Sequence, residues 1–570
     1  MEVQLRKVDR SILERLMQEG LPRALARVYA GRGITELSEL DYRAQQLESV
    51  PMKDQEKAVQ LLLAARNRND RICIAGDYDC DGATATAVMV RGLRALGFQN
   101  VDFLVPNRFT DGYGLTPPIV ERIMQRGADL LITVDNGISS ISGVQAAKAA
   151  GLTVIVTDHH LAGEQLPAAD AILDPNQPGC PFPWKSTAGV GVAFLLILAL
   201  FRALEPHEES LPNPGFLAPL VALGTVADVV PLEYNNRILV HQGLARWRSG
   251  NTFPGLLALA QVSKIDLGSL GAGSIAFQMG PRLNAAGRMD DMTIGIRCLL
   301  EDNPEQAKIL AKDLDDFNKQ RREVERQQCL EALAELPADP SGQSGLTALL
   351  PDGHLGVIGI VAGRLKEQFH RPVVVLAEDG EWLKGSGRSI PGFHLRDALA
   401  DLSTAHPDWF KAFGGHAMAA GMSLRKSAFP EFQQEFDKLA KERLSEDDLT
   451  ERLLVDGILS PAEISLGLAV EIEYLGIWGQ HFAEPLFLGT FTVAQSKVLK
   501  QAHLRLDLEV PGQGTVGAIW FGQAAEIPEG SRLQLAFSLD INRFRGEESV
   551  QLRIQWGVSA EQAVSLSRVA

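Results

Sequence analysis

The residues of this chain that could do chemistry are acidic and histidine-bearing segments in its first half. They are residues 76–82 (Gly-Asp-Tyr-Asp-Cys-Asp-Gly), 134–137 (Val-Asp-Asn-Gly) and 157–160 (Thr-Asp-His-His), with a fourth acid at Asp228. Carboxylates with imidazole are hard ligands that suit Mg²⁺ or Mn²⁺, and a shared carboxylate can hold two such ions about 3.5–4 Å apart. The segments therefore predict a two-metal site, a kind of centre that generates hydroxide from water near neutral pH.

Each of the three segments follows a run of residues with the character of a buried parallel strand. Ile72–Ala75, Leu130–Val134 and residues 153–156 are apolar or β-branched and of strand length, and amphipathic stretches separate them. Asp228 follows residues 224–227 (Gly-Thr-Val-Ala), which we interpret as a fourth strand end of the same kind. Because the carboxyl ends of parallel strands form the ligand crevice of an open α/β sheet, these acids are expected to converge there.

A structural alternative exists for each acid taken alone, because an aspartate after a strand can cap a helix or form a turn. The adjacent pair His159 and His160 is harder to explain in this way, since it follows a buried strand and is preceded by Asp158. The set as a whole therefore favours a functional interpretation.

Length, charge and cysteine content limit the class of protein. At 570 residues the chain predicts two to four domains. Its longest apolar run, residues 190–201, is too short to span a bilayer, and its first residues are charged, so we expect no membrane segment and no export. Five scattered cysteines form no regular disulfide framework, which favours a reducing cytoplasm.

The net charge of −16 alone argues against DNA as a binding partner. Residues 382–426, however, carry six Lys/Arg against three Asp, and a local basic stripe can bind phosphates.

The order of patterns along the chain predicts five parts. They are a helical appendage (1–55), an α/β domain with the metal site (56–300), a connecting long helix that starts at the cap Asn303 (301–340), a second α/β unit with glycine-rich loops (341–447) and a run of short strands that suggests a small β-barrel (448–570).

Taken in order, the motifs resemble the DHH phosphoesterase superfamily, and within it most closely the bacterial exonucleases specific for single-stranded DNA. Besides the metal segments, the resemblance rests on residues 105–109, 111–114, 224–232, 280–288, 385–388 and 413–417, and it covers nearly the whole chain. It implies an α/β fold with two lobes, a DHH domain and a DHH-associated domain, joined by a long helix and followed by an OB-fold-like barrel.

The resemblance also implies roles for individual residues at the metal site. Asp79 and Asp81 would each bind one ion, Asp135 would bridge them, and His159 and Asp228 would complete the shell of the second ion. His160 would face the phosphate, which makes Asp135, His159 and His160 the catalytic set. Many relatives carry a histidine where this chain has Ala75, so either Asp77 or water fills that place. Asp158 has the character of a group that orients an imidazole.

A second set of residues is implied to bind the substrate. Arg282 and Arg288 suit bidentate phosphate binding, with ion pairs to Asp290 or Asp291 as the alternative. Glycine-rich segments in the second lobe would let backbone amides approach phosphate oxygens, although such segments are usually only turns. The full set is Arg108, Tyr113, His160, Arg282, Asn284, Arg288, Ser386, Arg388 and His416. In the barrel, residues 543–545 (Arg-Phe-Arg) interleave an aromatic with two cations, as a single-strand-binding surface would.

The expected function is therefore 5′ to 3′ hydrolysis of single-stranded DNA to mononucleotides in recombination and repair, with two Mn²⁺ or Mg²⁺ ions. Single-strand-binding protein, a helicase that supplies single strands and a monomeric state are further expectations from the resemblance. Two alternatives remain open. A small-oligonucleotide hydrolase would use the same metal site, but the appendage and the additional β-domain favour a long substrate. A non-catalytic DNA-binding scaffold would have degraded metal motifs, whereas every expected acid and histidine after Ala75 is present.

Overall fold

The computed structural model describes residues 2–208, 210–337, 339–544 and 546–562. The chain divides into two compact units, one formed by Gln4–Asp315 with Leu454–Ala570 and the other by Met1–Val3 with Asp316–Leu453. None of the helices in the described ranges combines the length and the apolarity that a membrane crossing requires. The fold class is the α/β class expected from the sequence, with two α/β domains and a closed β-barrel.

The first part of the larger unit is built around a five-stranded parallel sheet. Strand β1 (Glu2–Leu5) precedes this sheet in the chain and pairs with a later strand, Arg452–Val455. The strands of the sheet are β2 (Ile72–Ala75), β3 (Val101–Leu104), β4 (Leu130–Val134), β5 (Thr153–Thr157) and β6 (Ala171–Leu173). Its helices are α1 (Arg10–Gln18), α2 (Arg23–Ala30), α3 (Gln55–Arg68), α4 (Cys80–Ala95), α5 (Pro117–Gln125), α6 (Ile141–Ala149), α7 (Gly189–Leu204), α8 (Ala218–Ala227), α9 (Tyr234–Arg248), α10 (Pro254–Val262), α11 (Ala272–Ser274), α12 (Gly280–Met289) and α13 (Thr293–Leu300). The strand order is β3-β2-β4-β5-β6.

Strands β2, β4 and β5 lie side by side and end at the same edge of the sheet. Ala75 pairs with Thr133, and Val134 pairs with Thr157. Every residue of β2 and β4 is buried, which is why these strands appear in the sequence as continuous apolar runs. The predicted bounds of β2 and β4 are confirmed, and β5 extends one residue further, to Thr157.

The prediction of a fourth strand before Asp228 is wrong. Residues 224–227 form the last turn of helix α8, and Asp228 is its C-terminal cap. Nearly the whole of α8 is buried, so its sequence has no polar face. A short, fully buried apolar run cannot be assigned to helix or strand by periodicity, and this is the cause of the error.

A 32-residue helix, α14 (Pro304–Glu335), links the two units along the chain. Its start is confirmed, because the Asn303 side chain accepts hydrogen bonds from the amides of Glu305 and Gln306. Ala307, Ala311 and Leu314 are buried, whereas Leu330 is 53% exposed.

The smaller unit contains a mixed sheet in the order β10-β11-β9-β8-β7. Its elements are β7 (Leu346–Leu350), α15 (Ile358–Phe369), β8 (Val373–Asp379), β9 (Trp382–Arg388), α16 (Leu395–Ala405), β10 (Phe410–Gly415), β11 (Ala419–Arg425) and α17 (Phe429–Arg443). The glycine-rich segments expected as loops instead lie in β9 and β10. Close packing explains the glycines of β9, since a Cβ atom at Gly387 would lie 2.6 Å from Leu395 Cδ2.

The C-terminal part confirms the predicted barrel. It comprises β12 (Arg452–Val455), β13 (Gly457–Ile458), α18 (Leu466–Leu475), β14 (Phe487–Leu499), β15 (His503–Val510), β16 (Gly514–Phe521), β17 (Arg532–Phe544) and β18 (Glu547–Ser559). The sheet order β14-β15-β16-β18-β17 is closed by pairing of β17 with β14. Leucines and Phe537 fill the interior. Residues 563–570 of the predicted fifth part lie outside the described residues.

Buried contacts attach the segment before the barrel to the rest of the larger unit. The Asp456 carboxylate accepts hydrogen bonds from Arg32 at 2.7 and 2.9 Å and from Arg6 at 3.2 Å. The amide of Leu232, close in sequence to Asp228, donates to the carbonyl of Gln480 at 2.9 Å. The barrel region and the parallel-sheet region therefore pack as one body within this unit.

Candidate metal centre

The structure brings the predicted carboxylates and imidazoles together at the carboxyl edge of the parallel sheet. Their ligand atoms form three groups, in each of which the atoms lie within 4.8 Å of one another. The groups are Asp77, Asp79 and Asp135; Asp81, His159 and Asp228; and Asp135, His159 and His160. Asp77 thus lies in the first group, two residues after Ala75, the last residue of strand β2.

His159 connects the two carboxylate groups. Its Nε2 atom lies 3.1 Å from Asp135 Oδ1, 3.6 Å from Asp228 Oδ2 and 3.9 Å from Asp81 Oδ2. Burial, with the nearby charge of His160, lowers the pKa of His159 to about 4, so the ring is neutral at pH 7 and keeps a nitrogen lone pair for a metal ion.

The carboxylates carry more buried negative charge than the described chain neutralises. Burial, followed by repulsion from neighbouring carboxylates, raises the pKa of Asp77, Asp135 and Asp228 and raises that of Asp81 to about 7. In the described part of the chain, the buried Oδ1 atoms of Asp77 and Asp135 have no hydrogen-bond partner, although His159 Nε2 lies 3.1 Å from that of Asp135. Such oxygens are costly unless a cation binds them, so the donor set fits divalent metal ions.

Local backbone geometry forces Asp135 into this position. The residue has φ +60°, a left-handed conformation that is uncommon outside glycine. The Asn136 side chain holds the strand ends together by donating to the carbonyls of Ala75 at 3.1 Å and Val134 at 3.0 Å. Helix α7 begins against Asp135, since a Cβ atom at Gly189 would lie 2.7 Å from Asp135 Cβ.

Asp81 is held by the start of helix α7. Its Oδ2 atom accepts from the amide of Gly189 at 2.6 Å, and its Oδ1 atom accepts from Val190 at 2.9 Å. Both amides belong to the first turn, where they have no partner within the helix. The helix terminus therefore orients one candidate ligand and offsets part of its burial cost.

His160 is oriented by Asp158, as the sequence suggested for that residue. Asp158 Oδ1 lies 2.7 Å from His160 Nδ1 and accepts from the amides of His159 and His160. Burial alone would lower the pKa of His160, but the hydrogen bond and the charge of Asp158 raise it to about 9. At pH 7 the ring is a cation, and its Nε2 atom lies 3.4 Å from the hydroxyl of Tyr113.

We predict that Asp158→Asn lowers the activity of the enzyme by about 10- to 100-fold, the usual effect of removing a group that orients a metal-site imidazole. The asparagine removes the charge that keeps His160 protonated. Steady-state rates with saturating Mn²⁺ measure the effect, and the conservative Asp158→Glu variant serves as the comparison. Wild-type rates for Asp158→Asn would contradict an orienting role.

The loop after β3 presents Arg108 and Tyr113 around Tyr78. The Arg108 guanidinium lies 4.3 Å from the centre of the Tyr78 ring, and Tyr113 meets the same ring edge-on at 6.0 Å. Arg108 Nε is buried and has no hydrogen-bond partner in the described chain. The two predicted substrate residues are therefore close to the carboxylate groups, and one carries an unsatisfied donor.

Asp111 clamps this loop. Its carboxylate accepts from the amide of Asn107 at 2.8 Å and from Arg122 of helix α5 at 2.8 Å, while its own amide donates to the carbonyl of Asn107 at 2.9 Å. The clamp fixes both ends of the turn that carries Arg108.

We predict that Arg122→Ala raises KM for single-stranded DNA several-fold, because the loop that positions Arg108 loses its anchor, whereas kcat changes little. A partly exposed arginine outside this clamp, Arg126, provides the matched variant Arg126→Ala. Equal effects of the two substitutions on KM would argue against the clamp.

Helix α12, which carries the predicted substrate residues Arg282, Asn284 and Arg288, supports the metal loop. Asn284 Oδ1 accepts from the amide of Cys80 at 2.8 Å, so its side chain holds the loop. Arg282 pairs with Asp315 at 2.9 Å, rather than with the sequence neighbours Asp290 or Asp291. Burial raises the pKa of the Tyr78 phenol to about 12, and the positive charges of Arg108 and Arg288 act in the opposite direction.

In the smaller unit, Ser386 and Arg388 lie on the same strand and in contact. Arg388 Nη1 donates to Ser386 Oγ at 3.2 Å and to the carbonyl of Gly387 at 2.8 Å. A Cβ atom at Gly359 would lie 2.8 Å from Ser386 Oγ, so helix α15 approaches closely. Burial lowers the pKa of Arg388, and no described carboxylate pairs with it. The exposed His416 donates its amide to the carbonyl of Ala419, the residue paired with Arg388.

Three supporting residues were missed from the sequence. Tyr78 is the ring on which Arg108 and Tyr113 meet. Asn176 donates its side-chain amide to the carbonyl of His159 at 2.6 Å, and the buried Asp174 has its pKa raised to about 7, first by burial and then by Asp158. The position of Tyr78 inside the acidic segment was the one available signal.

In the barrel, Arg543 pairs with Glu473 and Glu548, and Arg545 lies outside the described residues.

Comparison with known proteins agrees with the fold. Residues 71–225 match the DHH family N-terminal domain, residues 342–442 the DHHA1 domain and residues 455–556 the RecJ OB domain. The chain belongs to the RecJ family of DHH-domain proteins.

Two relatives illustrate the similarity. The single-stranded-DNA-specific exonuclease RecJ of Escherichia coli is 47% identical, over 97% of this chain and 98% of that protein. The crystal structure of RecJ from Thermus thermophilus in complex with Mn²⁺ superposes with a TM-score of 0.84 at 30% identity, over 98% of this chain and 79% of the other.

Proposed function

We propose that this protein is a metal-dependent exonuclease that hydrolyses single-stranded DNA from the 5′ end to mononucleotides, in DNA recombination and repair. The observation that carries the proposal is the convergence of five buried or half-buried carboxylates and a neutral imidazole on two adjoining groups at the sheet edge. Membership in a family whose relatives are named single-stranded-DNA-specific exonucleases supports the substrate.

Two divalent ions, Mn²⁺ or Mg²⁺, fit this donor set. Asp77, Asp79 and Asp135 would hold one, and Asp81, His159 and Asp228 would hold the other, with Asp135 shared. When bound, such ions supply an activated water and neutralise charge on the scissile phosphate. The relative from Thermus thermophilus was crystallised with Mn²⁺ and also with Mg²⁺, which supports this choice of metals.

Residues of the chain itself supply the remaining chemistry. The His160 cation, fixed through Nδ1 by Asp158, directs Nε2 at a phosphate oxygen, where a preorganised donor stabilises developing charge. Arg108 contributes a second cation with a free Nε. Both groups are held before substrate arrives, so little reorganisation is needed during the reaction.

Features outside the metal centre favour a long single strand. The half-buried Arg388, with Ser386 beside it and no carboxylate partner in the described chain, suits a phosphate group. The closed barrel suits single-stranded nucleic acid, which OB-folds bind by stacking and charge. The 5′ polarity and the role in repair are inferred from the family.

The proposal extends to the cellular setting. A helicase supplies the single strands, single-strand-binding protein is a further partner, and the enzyme acts as a monomer in a reducing cytoplasm. All five cysteines lack disulfide partners, which is in keeping with that compartment.

The test uses purified protein with Mn²⁺ and single-stranded DNA labelled at either the 5′ or the 3′ end, beside a matched duplex. We expect immediate release of a 5′-labelled mononucleotide, retention of the 3′ label on progressively shorter strands, and an intact duplex. Release of the 3′ label first would contradict the polarity. Cleavage of dinucleotides alone would indicate a small-oligonucleotide hydrolase, and binding without cleavage would indicate a scaffold.

A further inference from the structure

Two large apolar side chains on elements that adjoin Asp228 are exposed to solvent. Phe277 is 84% exposed, the highest value for a large apolar side chain in the described ranges, and Val229 is 62% exposed. Single exposed apolar residues are common on protein surfaces. These two differ because unusual backbone conformations present them and because both lie on elements that adjoin Asp228. Val229 follows Asp228 in the chain, and the turn that contains Phe277 packs against helix α8, which Asp228 caps.

Val229 follows Asp228 directly and has φ +60°. A β-branched residue in the left-handed region is strained, and such strain persists only where the surrounding structure imposes it. Here the amide of Asp228 donates to Gly224 and that of Val229 donates to Val226, so the end of helix α8 fixes the turn. The valine side chain is directed outward although a glycine would fit the backbone at lower cost.

Phe277 lies in a π-helical turn, Ile275–Met279, directly before helix α12. Such turns are rare and occur often at functional sites. The two ends of the turn, Ile275 and Met279, are fully buried, whereas Phe277 and Gln278 between them are exposed. The turn is fixed beside the metal centre, because a Cβ atom at Gly280 would lie 2.9 Å from Ala227 Cβ, one residue before Asp228.

We propose that Phe277, with Val229, forms an apolar platform on which a nucleobase of the bound single strand stacks. This inference rests on the proposed function and adds a contact to the bases, which the metal centre and the arginines do not supply. A flat aromatic surface accepts every base, because each base has a π-face, so it suits an enzyme that must pass along any sequence. A base in a duplex is already stacked and paired, and is therefore less available to this surface.

The experiment measures stacking separately from cleavage. Full-length wild-type protein and the variants Phe277→Ala, Phe277→Trp and Val229→Ala are mixed, in EDTA, with single strands in which 2-aminopurine is moved along the sequence one nucleotide at a time. Ile309→Ala, which removes an exposed apolar side chain from helix α14, is the control. Dissociation constants are measured in parallel for a normal strand and for a strand with abasic sites.

We expect 2-aminopurine at one position to be quenched by wild-type protein and by Phe277→Trp, and not by Phe277→Ala. Phe277→Ala should weaken binding of the normal strand by about 5- to 150-fold, the range for one stacked base. It should leave the abasic strand unaffected, and the control should match wild type.

Unchanged quenching in Phe277→Ala, or an equal loss on normal and abasic strands, would overturn the inference, as would a failure of wild-type protein to bind either strand. Wild-type protein that binds and quenches the strand, but does not degrade it when Mn²⁺ is added, would overturn the proposed function and leave the stacking platform in place.

Discussion

Replacing Asp135 with alanine abolishes hydrolysis of single-stranded DNA and leaves the fold largely intact; the expected loss in kcat is at least about 10³-fold. Asp135 is the one carboxylate whose ligand atoms belong both to the Asp77 and Asp79 group and to a group with His159. Its removal would therefore disturb both candidate ion positions. Retained activity in excess Mn²⁺ would contradict its proposed bridging role.

The variant Asp135→Asn tests the same residue by its stability. Burial and neighbouring carboxylates raise the pKa of Asp135, so the ionised form destabilises the metal-free fold at pH 7. Asparagine removes this charge and tolerates the left-handed backbone. We expect thermal unfolding of metal-free Asp135→Asn at a temperature equal to or above that of wild type, and a smaller gain on adding Mn²⁺. The exposed substitution Asp313→Ala is the control and should show the wild-type gain.

His160→Ala should lower kcat by about 10²- to 10³-fold, the effect of losing one preorganised donor to developing charge, while Mn²⁺ still binds. His159→Ala should instead lose Mn²⁺ affinity, because His159 Nε2 lies among three carboxylates. Titration calorimetry with Mn²⁺ and single-turnover kinetics separate the two effects.

Tyr113→Phe refines this test, since it removes the hydroxyl that lies 3.4 Å from His160 Nε2 and keeps the ring. A small effect is expected, because the proposed partner of Nε2 is the phosphate. Equal losses of Mn²⁺ affinity in His159→Ala and His160→Ala would show that His160 is a ligand.

The parts of the fold that sequence alone predicts are those with a strong local pattern. Strands β2 and β4 are continuous apolar runs between polar segments, and helix α14 has an asparagine cap and a proline in its first turn. Helix α8 was mistaken for a strand because its burial on all sides removes the polar face that distinguishes a helix. The glycines of β9 and β10 predict loops from local sequence, but those of β9 serve side-chain packing, which local sequence does not reveal.

The candidate site shows the same division. The carboxylates from Asp77 to Asp135 could be found from the sequence because they follow parallel strands, which end at one edge, whereas Asp228 follows a helix. The partner of Arg282 could not, because the chain offered Asp290 and Asp291 nearby while the fold brings Asp315, 33 residues away, to 2.9 Å. Asn284 and Arg122 act through side-chain contacts with distant loops, and local sequence carries no record of such contacts.

The most direct test of the two-metal proposal is anomalous diffraction from crystals of the full chain grown with Mn²⁺. The proposal predicts two separate anomalous peaks at the sheet edge, one among Asp77, Asp79 and Asp135 and the other among Asp81, His159 and Asp228, with Asp135 in contact with both. A single peak, or peaks that Asp135 does not contact, would contradict it.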